Sequence, residues 1–314
     1  MSSRTTAGRA TDRDTTETAA ASGPAAALAA AWNQYWFTPT DSVPLALVRI
    51  GTGAVALLLW WSYAADLQAW FGPAGVLPID TVRQWRSPAA WSLFDWATTP
   101  LLVNVLFGGL GLVFVLLFVG LGTPVVAPLA AVLWASLLHR GPMLAGPADD
   151  CLSILLWCLA IGPAGEHFSI DRWLADRAGR PAPGLSNRAG IAQGLLQVHA
   201  AVIAAAAVLA QLKGDAWWNG LAAWYLAAGP QSRASGLMPL LADSEYLTNL
   251  FTHGITLFEI LFAVGLWYAP TQHLVARVGL VGWPLLGLLA GEPLWGLTLA
   301  LLALPCASQR RFPA

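Results

Sequence analysis

The stretch Gln197 to Trp218 reads QVHAAVIAAAAVLAQLKGDAWW and indicates the kind of fold that the chain adopts. Its apolar run carries no Asp, Glu, Lys or Arg until Lys213, and Asp215 and two tryptophans follow. Inside lipid every backbone amide must be satisfied within its own segment, so a long apolar run is predicted to form a membrane helix. Lys213 is the only lysine in the chain, and it stands where this helix meets an aromatic belt.

The composition extends this prediction to the whole chain of 314 residues. The chain is 57% hydrophobic and 11% charged, with a mean hydropathy of +0.59, whereas a soluble domain carries about a quarter charged residues. We therefore expect an all-α polytopic transmembrane helical bundle in contact with the lipid bilayer. The net charge is −1 and the basic residues form no dense cluster, which argues against nucleic acid as a partner and against a basic patch for anionic lipid.

Eight apolar stretches are predicted to span the membrane, and seven or nine spans are also compatible with the pattern. They cover approximately residues 43–63, 101–120, 124–138, 149–161, 189–212, 247–268, 275–290 and 293–306. Residues 1–30 are expected to be a disordered cytoplasmic tail, residues 31–307 one transmembrane domain, and residues 308–314 a short cytoplasmic tail. Thr81 to Trp96 mixes charged residues with aromatic ones, which predicts an amphipathic helix lying flat at the membrane interface.

The arginine distribution predicts the orientation. With the N-terminus inside the cell, ten arginines fall in cytoplasmic segments and five basic residues fall in outer segments. Because cytoplasmic loops are enriched in Lys and Arg, we expect an integral membrane protein with a cytoplasmic N-terminus. This orientation places Lys213 and Asp149 on the outer side.

Two charged residues are predicted inside the membrane. Glu259 should lie near the middle of the sixth span, on one stripe with Thr252 and Thr256, and His253 lies on the adjoining face. An ionisable group at the centre of a membrane helix costs about 2.5–3.5 kcal/mol on insertion scales and is functional by default. The structural alternative is an ion pair with Arg49, which lies about 9 Å inside the first span at 1.5 Å per residue. His253 either hydrogen-bonds a neighbouring helix or takes part in catalysis.

Other polar residues have both a structural and a functional interpretation. His199 precedes Lys213 by close to four helical turns, so the two are predicted to project from similar sides if the helix continues that far. Asp149 and Asp150 open the fourth span, where the helix dipole alone favours carboxylates.

The three cysteines predict neither a disulfide framework nor a metal site. Cys151 and Cys158 lie on one predicted helix, about 10 Å apart at 1.5 Å per residue, which is beyond bridging distance. No spacing of Cys or His indicates a metal, so the cysteines are expected to be small buried side chains.

Lys213 has three interpretations. It can extend its amine to the outer headgroups, pair with Asp215, or serve as a desolvated neutral amine that acts as a base. Burial in an apolar site favours the neutral form of a lysine, whereas a guanidinium stays protonated in any protein. A chain that uses arginine at every other basic position therefore makes the base interpretation stronger than usual.

The residues singled out above resemble those of a known family. The membrane domain of vitamin K-dependent gamma-carboxylases, with the bacterial HTTM (horizontally transferred transmembrane) proteins grouped with it, is similar to this chain over roughly residues 32–305. The matching pieces, in chain order, are Pro44 with Arg49-Ile50-Gly51; His139-Arg140; His167-Phe168-Ser169-Ile170-Asp171; Lys213 with Asp215-Ala216 and Trp218; and Thr252-His253-Gly254 with Glu259.

The resemblance implies a chemical role for Lys213. In the carboxylases, a lysine before an Asp-Ala pair is taken as the base that deprotonates vitamin K hydroquinone. The anion reacts with oxygen to give a strong base, which removes the γ-proton of glutamate before CO2 adds. Lys213 falls on that lysine, so the resemblance implies a reduced quinone of the menaquinone or vitamin K type as cofactor and a bacterial cytoplasmic membrane as location.

Three departures from the family pattern count against glutamate carboxylation itself. The chain stops at Ala314, without the large extramembrane domain that recognises the protein substrate in the carboxylases. Leu212 stands where they have a second adjacent lysine, and Asp150 falls where they have a histidine. Quinol chemistry is less affected by these departures.

The sequence therefore leaves hypotheses of different classes open. The leading one is a carboxylase-like or quinol-dependent lyase-like membrane enzyme with Lys213 and His253 as catalytic residues. The residues expected to line its pocket or to form ion pairs are Arg49, Asp149, Asp150, His199, Asp215, Trp218 and Glu259. The alternatives are a non-catalytic membrane factor for maturation, export or immunity, with a peptide or protein partner, and a small-solute transporter.

Overall fold

A computed structural model describes residues 23–88 and 90–308 of the chain, and in these ranges the regular structure is helical. The only strand-type pairing there is a single antiparallel bridge between Thr40 and Ser186. The predicted all-α architecture is therefore confirmed. Most of the expected N-terminal tail lies outside the described residues, but its last residues are not a tail, because they belong to the helix Pro24–Phe37.

The helices follow the apolar runs of the sequence closely. In chain order they are α1 (Pro24–Phe37), α2 (Val43–Ala64), α3 (Leu67–Phe71), α4 (Ile79–Trp85), α5 (Pro100–Val119), α6 (Thr123–Arg140), α7 (Pro147–Ile161), α8 (Ile170–Arg177), α9 (Asn187–Gln211), α10 (Asp215–Trp218), α11 (Ala222–Ala228), α12 (Met238–Ala242), α13 (Glu245–Gly265), α14 (Gln272–Ala290) and α15 (Pro293–Ser308). Single 3₁₀ turns lie at Leu93–Trp96 and Ser235–Leu237.

Each of the eight predicted spans corresponds to one helix. In the described part of the chain, six of these helices are long and apolar enough to cross a membrane, namely α2, α5, α6, α9, α13 and α14. The other two, α7 and α15, have 15 and 16 residues, or about 22–24 Å at 1.5 Å per residue. This is shorter than the roughly 30 Å hydrocarbon core.

The two short helices occupy the interior of the bundle. α15 packs against α2, α7, α9 and α14, and α7 packs against α2, α6, α9 and α15. A helix that is enclosed by other helices contacts protein at its ends and does not have to match the thickness of the bilayer. The longer helices α5, α6, α13 and α14 lie around this centre and expose apolar side chains.

The helices alternate in direction, which gives the bundle two ends. We call one the α8 end, because it carries α8 together with the start of α2 and the end of α5. The opposite end carries α3, α4 and α10 to α12, and we call it the α10 end. Five described arginines belong to the predicted cytoplasmic segments, and the alternation of the helices places all five toward the α8 end. They are Arg172, Arg177, Arg180, Arg188 and Arg277.

The predicted interfacial helix over Thr81 to Trp96 is wrong as a continuous element. α4 ends at Trp85, and a separate 3₁₀ turn begins at Leu93. Pro88 explains the break, because proline disfavours helical geometry at the preceding residue and lacks an N–H. The Arg86 guanidinium instead turns inward and donates to the Asp95 carboxylate at 2.5 Å.

A buried arginine holds the α8 end together. Arg49 is fully buried in α2, and its guanidinium donates to four backbone carbonyls. Two lie at the end of α5, those of Leu117 at 2.7 Å and Phe118 at 2.6 Å. The other two lie in the α7–α8 loop, those of Ala164 at 3.0 Å and Phe168 at 2.7 Å. Arg49 thus supplies donors to carbonyls at a helix end and in a loop, where backbone donors are few.

The loop that serves Arg49 adopts an unfavourable backbone conformation to do so. Phe168 has φ of +48°, a region that costs a residue with a side chain roughly 1–3 kcal/mol. The next residues clamp the loop to α6, because the Asp171 carboxylate accepts from the backbone N–H groups of Gly122 at 2.7 Å and Thr123 at 2.8 Å. Motif residues 167–171 therefore have a structural role at this end.

We predict that Arg49→Leu destabilises the fold by about 3–5 kcal/mol, since four carbonyls lose a charged donor in a buried setting. The temperature at which half of the detergent-solubilised protein remains monodisperse should fall accordingly. Arg277→Leu is the matched control, because Arg277 is exposed on α14. Equal stability of the Arg49 and Arg277 variants would contradict the structural role of Arg49.

Candidate functional site

A buried polar cluster joins α9 to α13. Gln211, the last residue of α9, donates from Nε2 to Oε2 of Glu259 at 2.6 Å, and its Oε1 accepts from the Thr256 hydroxyl at 2.7 Å. Glu259 and Gln211 are both buried. The amide side chain therefore bridges a carboxylate and a hydroxyl, and it supplies the hydrogen bond that a carboxylate within a membrane helix requires.

The side chains of the predicted stripe, Thr252, Thr256 and Glu259, all hydrogen-bond to the segment from Gln211 to Ala223. The Thr252 hydroxyl donates to the Gly220 carbonyl at 2.9 Å and accepts from the Ala223 backbone N–H at 3.0 Å. This stripe explains how the chain after α9 is held, since residues 211–223 run along α13 from Glu259 to Thr252.

Gly220 shows how closely that segment approaches α13. Its φ is +71°, and a Cβ built at this position would lie 1.8 Å from the side-chain oxygen of Asn249. The left-handed conformation and the lack of room both require glycine. The position of the Lys213 segment on α13 is thus set by backbone contacts on both sides of Lys213.

Lys213 itself lies on the surface of the bundle, two residues after Gln211. In the described part of the chain its amine makes no hydrogen bond or ion pair. The suggested pair with Asp215 does not form, because Gly214 between them is extended and Asp215 starts the new helix α10. The exposed Trp218 caps the turn by donating from its indole to the Leu212 carbonyl at 2.9 Å.

The shared side of His199 and Lys213 was expected only if the helix continued to Lys213, but α9 ends at Gln211. The positions that follow His199 on its side of α9, Val202, Ala206 and Leu209, are exposed. His199 is half-buried, and its Nδ1 lies 2.7 Å from the Leu195 carbonyl. The two residues do not form one site, since fourteen residues at 1.5 Å place them about 21 Å apart along the axis.

His253 lies at the edge of an apolar groove between α13 and α14. It is exposed, and it shares a helical stripe at spacings of four with Leu257 and Leu261. Both leucines line a cavity of about 350 Å³ whose other walls are Gly254, Phe258, Phe262, Leu274, Val275 and Val278. The groove is therefore a hydrocarbon surface, and His253 lies outside its lining, next to Gly254 in the sequence.

The predicted ion pair between Arg49 and Glu259 is wrong. Arg49 is at the α8 end, where its guanidinium donates to the backbone carbonyls described above, whereas Glu259 accepts from Gln211. A guanidinium has five donors and can hydrogen-bond to carbonyl oxygens alone. Arg49 therefore does not require an ion pair with Glu259.

Asp149 and Asp150 belong to another part of the α10 end. Asp149 is buried, and its Oδ2 accepts from the Tyr63 hydroxyl at 3.0 Å and from the Gly146 backbone N–H at 2.7 Å. Asp150 is exposed on the same helix. The contacts of Asp149 are those of a residue that caps the start of α7, and they lie on α2 and α7 rather than on α9 or α13.

The three cysteines, Cys151, Cys158 and Cys306, are buried and form no disulfide with one another, so their prediction as small buried side chains is confirmed. Residues 23–88 and 90–308 contain no group of three His, Cys, Asp or Glu side chains placed to hold a metal ion.

Gln211 is the site residue that sequence reasoning missed. A signal was present, because Gln211 is the only polar side chain in α9 after His199. A lone amide near the end of an alanine-rich membrane helix is expected to seek a partner on a neighbouring helix. Glu259 is that partner, and only the packing of α9 on α13 identifies it.

Comparisons of the chain with protein-family models, with curated proteins and with solved structures find no match. The fold and its apolar helices define the class of protein, which is a polytopic helical integral membrane protein. Within that class, the polar centre at the α9–α13 junction is the best candidate for a functional site.

We predict that Gln211→Leu destabilises the protein by about 1–3 kcal/mol, because the Glu259 carboxylate loses its donor while still buried. The double variant Gln211→Leu with Glu259→Leu should recover most of this loss, since two apolar partners leave nothing unsatisfied. Thermal melts in detergent measure both effects, with Gln84→Leu on the exposed face of α4 as the control. Additive losses in the double variant would contradict the proposed pairing.

Proposed function

We propose that this chain is an HTTM-type membrane enzyme of the carboxylase-like class that acts on a reduced lipid quinone, with Lys213 as the base. The observation that carries the proposal is that α13 carries an exposed histidine, a buried acidic side chain held by the end of the helix that leads to Lys213, and, on its other face, an apolar groove. These groups come from the motif pieces that carry the family resemblance.

The residues at this junction fit a lipid quinol in complementary ways. The groove between α13 and α14 has a wholly apolar lining and about 350 Å³ of space, which suits a segment of polyisoprenoid tail. His253 lies next to the groove residue Gly254 in the sequence, where it can hydrogen-bond a ring oxygen. A bound quinol would supply the reducing chemistry, in which the reduced quinone and O2 give the quinone epoxide and water.

Each polar residue has a distinct task in this proposal. Lys213, as a neutral amine, accepts the proton of a quinol hydroxyl. His253 orients the quinone head, and Glu259, held by Gln211, supplies a buried hydrogen-bonding group on α13. A bound ring would cover the exposed Lys213 side chain and remove water from it, which favours the neutral amine.

The protein is proposed to lie in a bacterial cytoplasmic membrane with its N-terminus in the cytoplasm. The support for this is the count over the whole sequence, with ten basic residues in the predicted cytoplasmic segments against five in the outer ones, since cytoplasmic segments are enriched in Lys and Arg. The α9–α13 junction then lies in the outer half of the membrane.

One observation favours a second candidate, a non-catalytic membrane factor for peptide maturation, export or immunity. Lys213 is exposed beside Trp217 and Trp218, which is also the arrangement of a lysine that extends to the headgroups at an aromatic belt. In that case the lysine anchors the helix end and transfers no proton.

The deciding experiment incubates the purified full chain with reduced menaquinone and oxygen, and analyses the lipid fraction for the epoxide by mass spectrometry. We expect epoxide from the wild-type protein, and at least about a hundredfold less from Lys213→Arg, since a general base contributes roughly 10²–10⁴-fold and arginine stays protonated. Arg233→Gln removes a cation from the same end and should leave the rate unchanged. A folded wild-type protein without epoxide would favour the non-catalytic factor, and full activity of Lys213→Arg would exclude the lysine base.

We further predict that Gly254→Leu raises the apparent KM for reduced menaquinone severalfold, because the leucine fills the groove. A Cβ at Gly254 meets no atom within 4 Å, so the substitution leaves the packing of α13 intact. Gly108→Leu is the control, since Gly108 is equally open on α5. An unchanged KM for Gly254→Leu would place the quinone tail elsewhere.

A further inference from the structure

A second cavity opens at the α8 end, far from the α9–α13 junction. Its volume is about 790 Å³, and it lies between the first turn of α6, the last turn of α7, helix α8 and the start of α9. Three arginines line it: Arg172, Arg180 and Arg188. They span seventeen positions of the sequence, so no dense basic run marks the site.

Two of these arginines are available to a ligand. Arg172 is committed to the protein, since its guanidinium pairs with Asp176 and donates to the carbonyls of Pro181 and Arg180. Arg188 uses Nε for the Ile161 carbonyl at 3.0 Å, which positions the guanidinium and leaves its two terminal amino groups for other partners. Arg180 is exposed at the rim.

The two carboxylates in the cavity wall, Glu166 and Asp171, form no ion pair with Arg180 or Arg188. Glu166 accepts from the Ser42 hydroxyl at 2.6 Å, and Asp171 accepts from the two backbone N–H groups at the start of α6. The acidic side chains are therefore engaged with neutral donors at the back of the cavity.

A buried hydroxyl in the wall has no partner. Thr123 is 2% exposed, and its Oγ1 makes no hydrogen bond within the described chain. Buried polar groups are nearly always paired with protein, water or ligand. Thr123 lines the cavity, so an acceptor in the cavity would satisfy it.

The rest of the lining is apolar and comes from the start of α6, the end of α7, helix α8 and the loops beside them. Pro124, Leu159, Leu174 and Ala175 contribute to it, and α8 exposes Trp173 beside the cavity. An occupant with an anionic group and a hydrocarbon portion would match both parts of the surface. A lipid at a membrane interface has this character, and arginines near a membrane surface attract anionic lipids.

We propose that this cavity binds a phosphate ester through Arg180, Arg188 and the Thr123 hydroxyl, with the headgroup of an anionic phospholipid as its occupant. The guanidinium groups donate to the phosphate oxygens, and the apolar wall receives the adjoining glycerol and acyl carbons. The site is independent of the proposed quinol chemistry and lies at the opposite end of the bundle.

The test is native mass spectrometry of the purified full chain with phosphatidylglycerol, with phosphatidylcholine, and with inorganic phosphate. We expect one phosphatidylglycerol to bind in preference to phosphatidylcholine. The double variant Arg180→Gln with Arg188→Gln should weaken this binding about thirtyfold, since each arginine contributes roughly a fivefold factor. Arg277→Gln, an exposed arginine near the same end, should bind as the wild type does.

A second variant keeps every charge and removes only space. Ala175→Trp fills the apolar wall and should lower phosphatidylglycerol binding at least tenfold, which general attraction of an anion to a basic surface does not predict. Displacement of the lipid by millimolar inorganic phosphate would support the phosphate site and identify a soluble phosphate ester as an alternative occupant. Equal binding of the two lipids, or wild-type binding by both variants, would overturn the proposal.

Discussion

The Arg49 guanidinium is the constraint on which the α8 end depends. A buried cation is tolerated only where its donors are paired, and here the partners are carbonyls from the end of α5 and from the α7–α8 loop. The position of α2 therefore determines where α5 stops and how the loop turns. The same loop continues into α8 and forms a wall of the arginine-lined cavity, so one buried residue shapes the surface at which this end meets the membrane.

The polar residues of the chain divide into two kinds of centre at the two ends. At the α8 end each nitrogen of the Arg49 guanidinium donates to a backbone carbonyl, and residues 167–171 act as structural parts of its surroundings. At the α9–α13 junction the Glu259 carboxylate is held by Gln211, but Lys213 and His253 remain exposed on either side. Groups that the protein leaves available are the ones that can meet a ligand, which is why we place the proposed quinol chemistry here.

The helices were predictable because long apolar runs have one structural solution in lipid. The stripe of Thr252, Thr256 and Glu259 was predictable from helical spacing. The interaction partners of the charged residues could not be predicted in this way. Spacing cannot show that Arg49 finds carbonyls rather than Glu259, or that the extended Gly214 separates Lys213 from Asp215, because these outcomes depend on the relative placement of whole helices. The two short helices α7 and α15 likewise become the interior of the bundle only through packing.

By itself, the sequence determined that this protein is a helical membrane protein, where its membrane helices lie, and which few polar residues must be accounted for inside them. Hydrophobic periodicity and the energetic demand of the peptide group in lipid are local properties, so the sequence carries them directly. Only the tertiary structure decided which polar groups meet. It joined Gln211 to Glu259, enclosed Arg49 in carbonyls and gathered three separated arginines around one cavity, because contacts between distant segments depend on how the helices pack and not on their spacing along the chain.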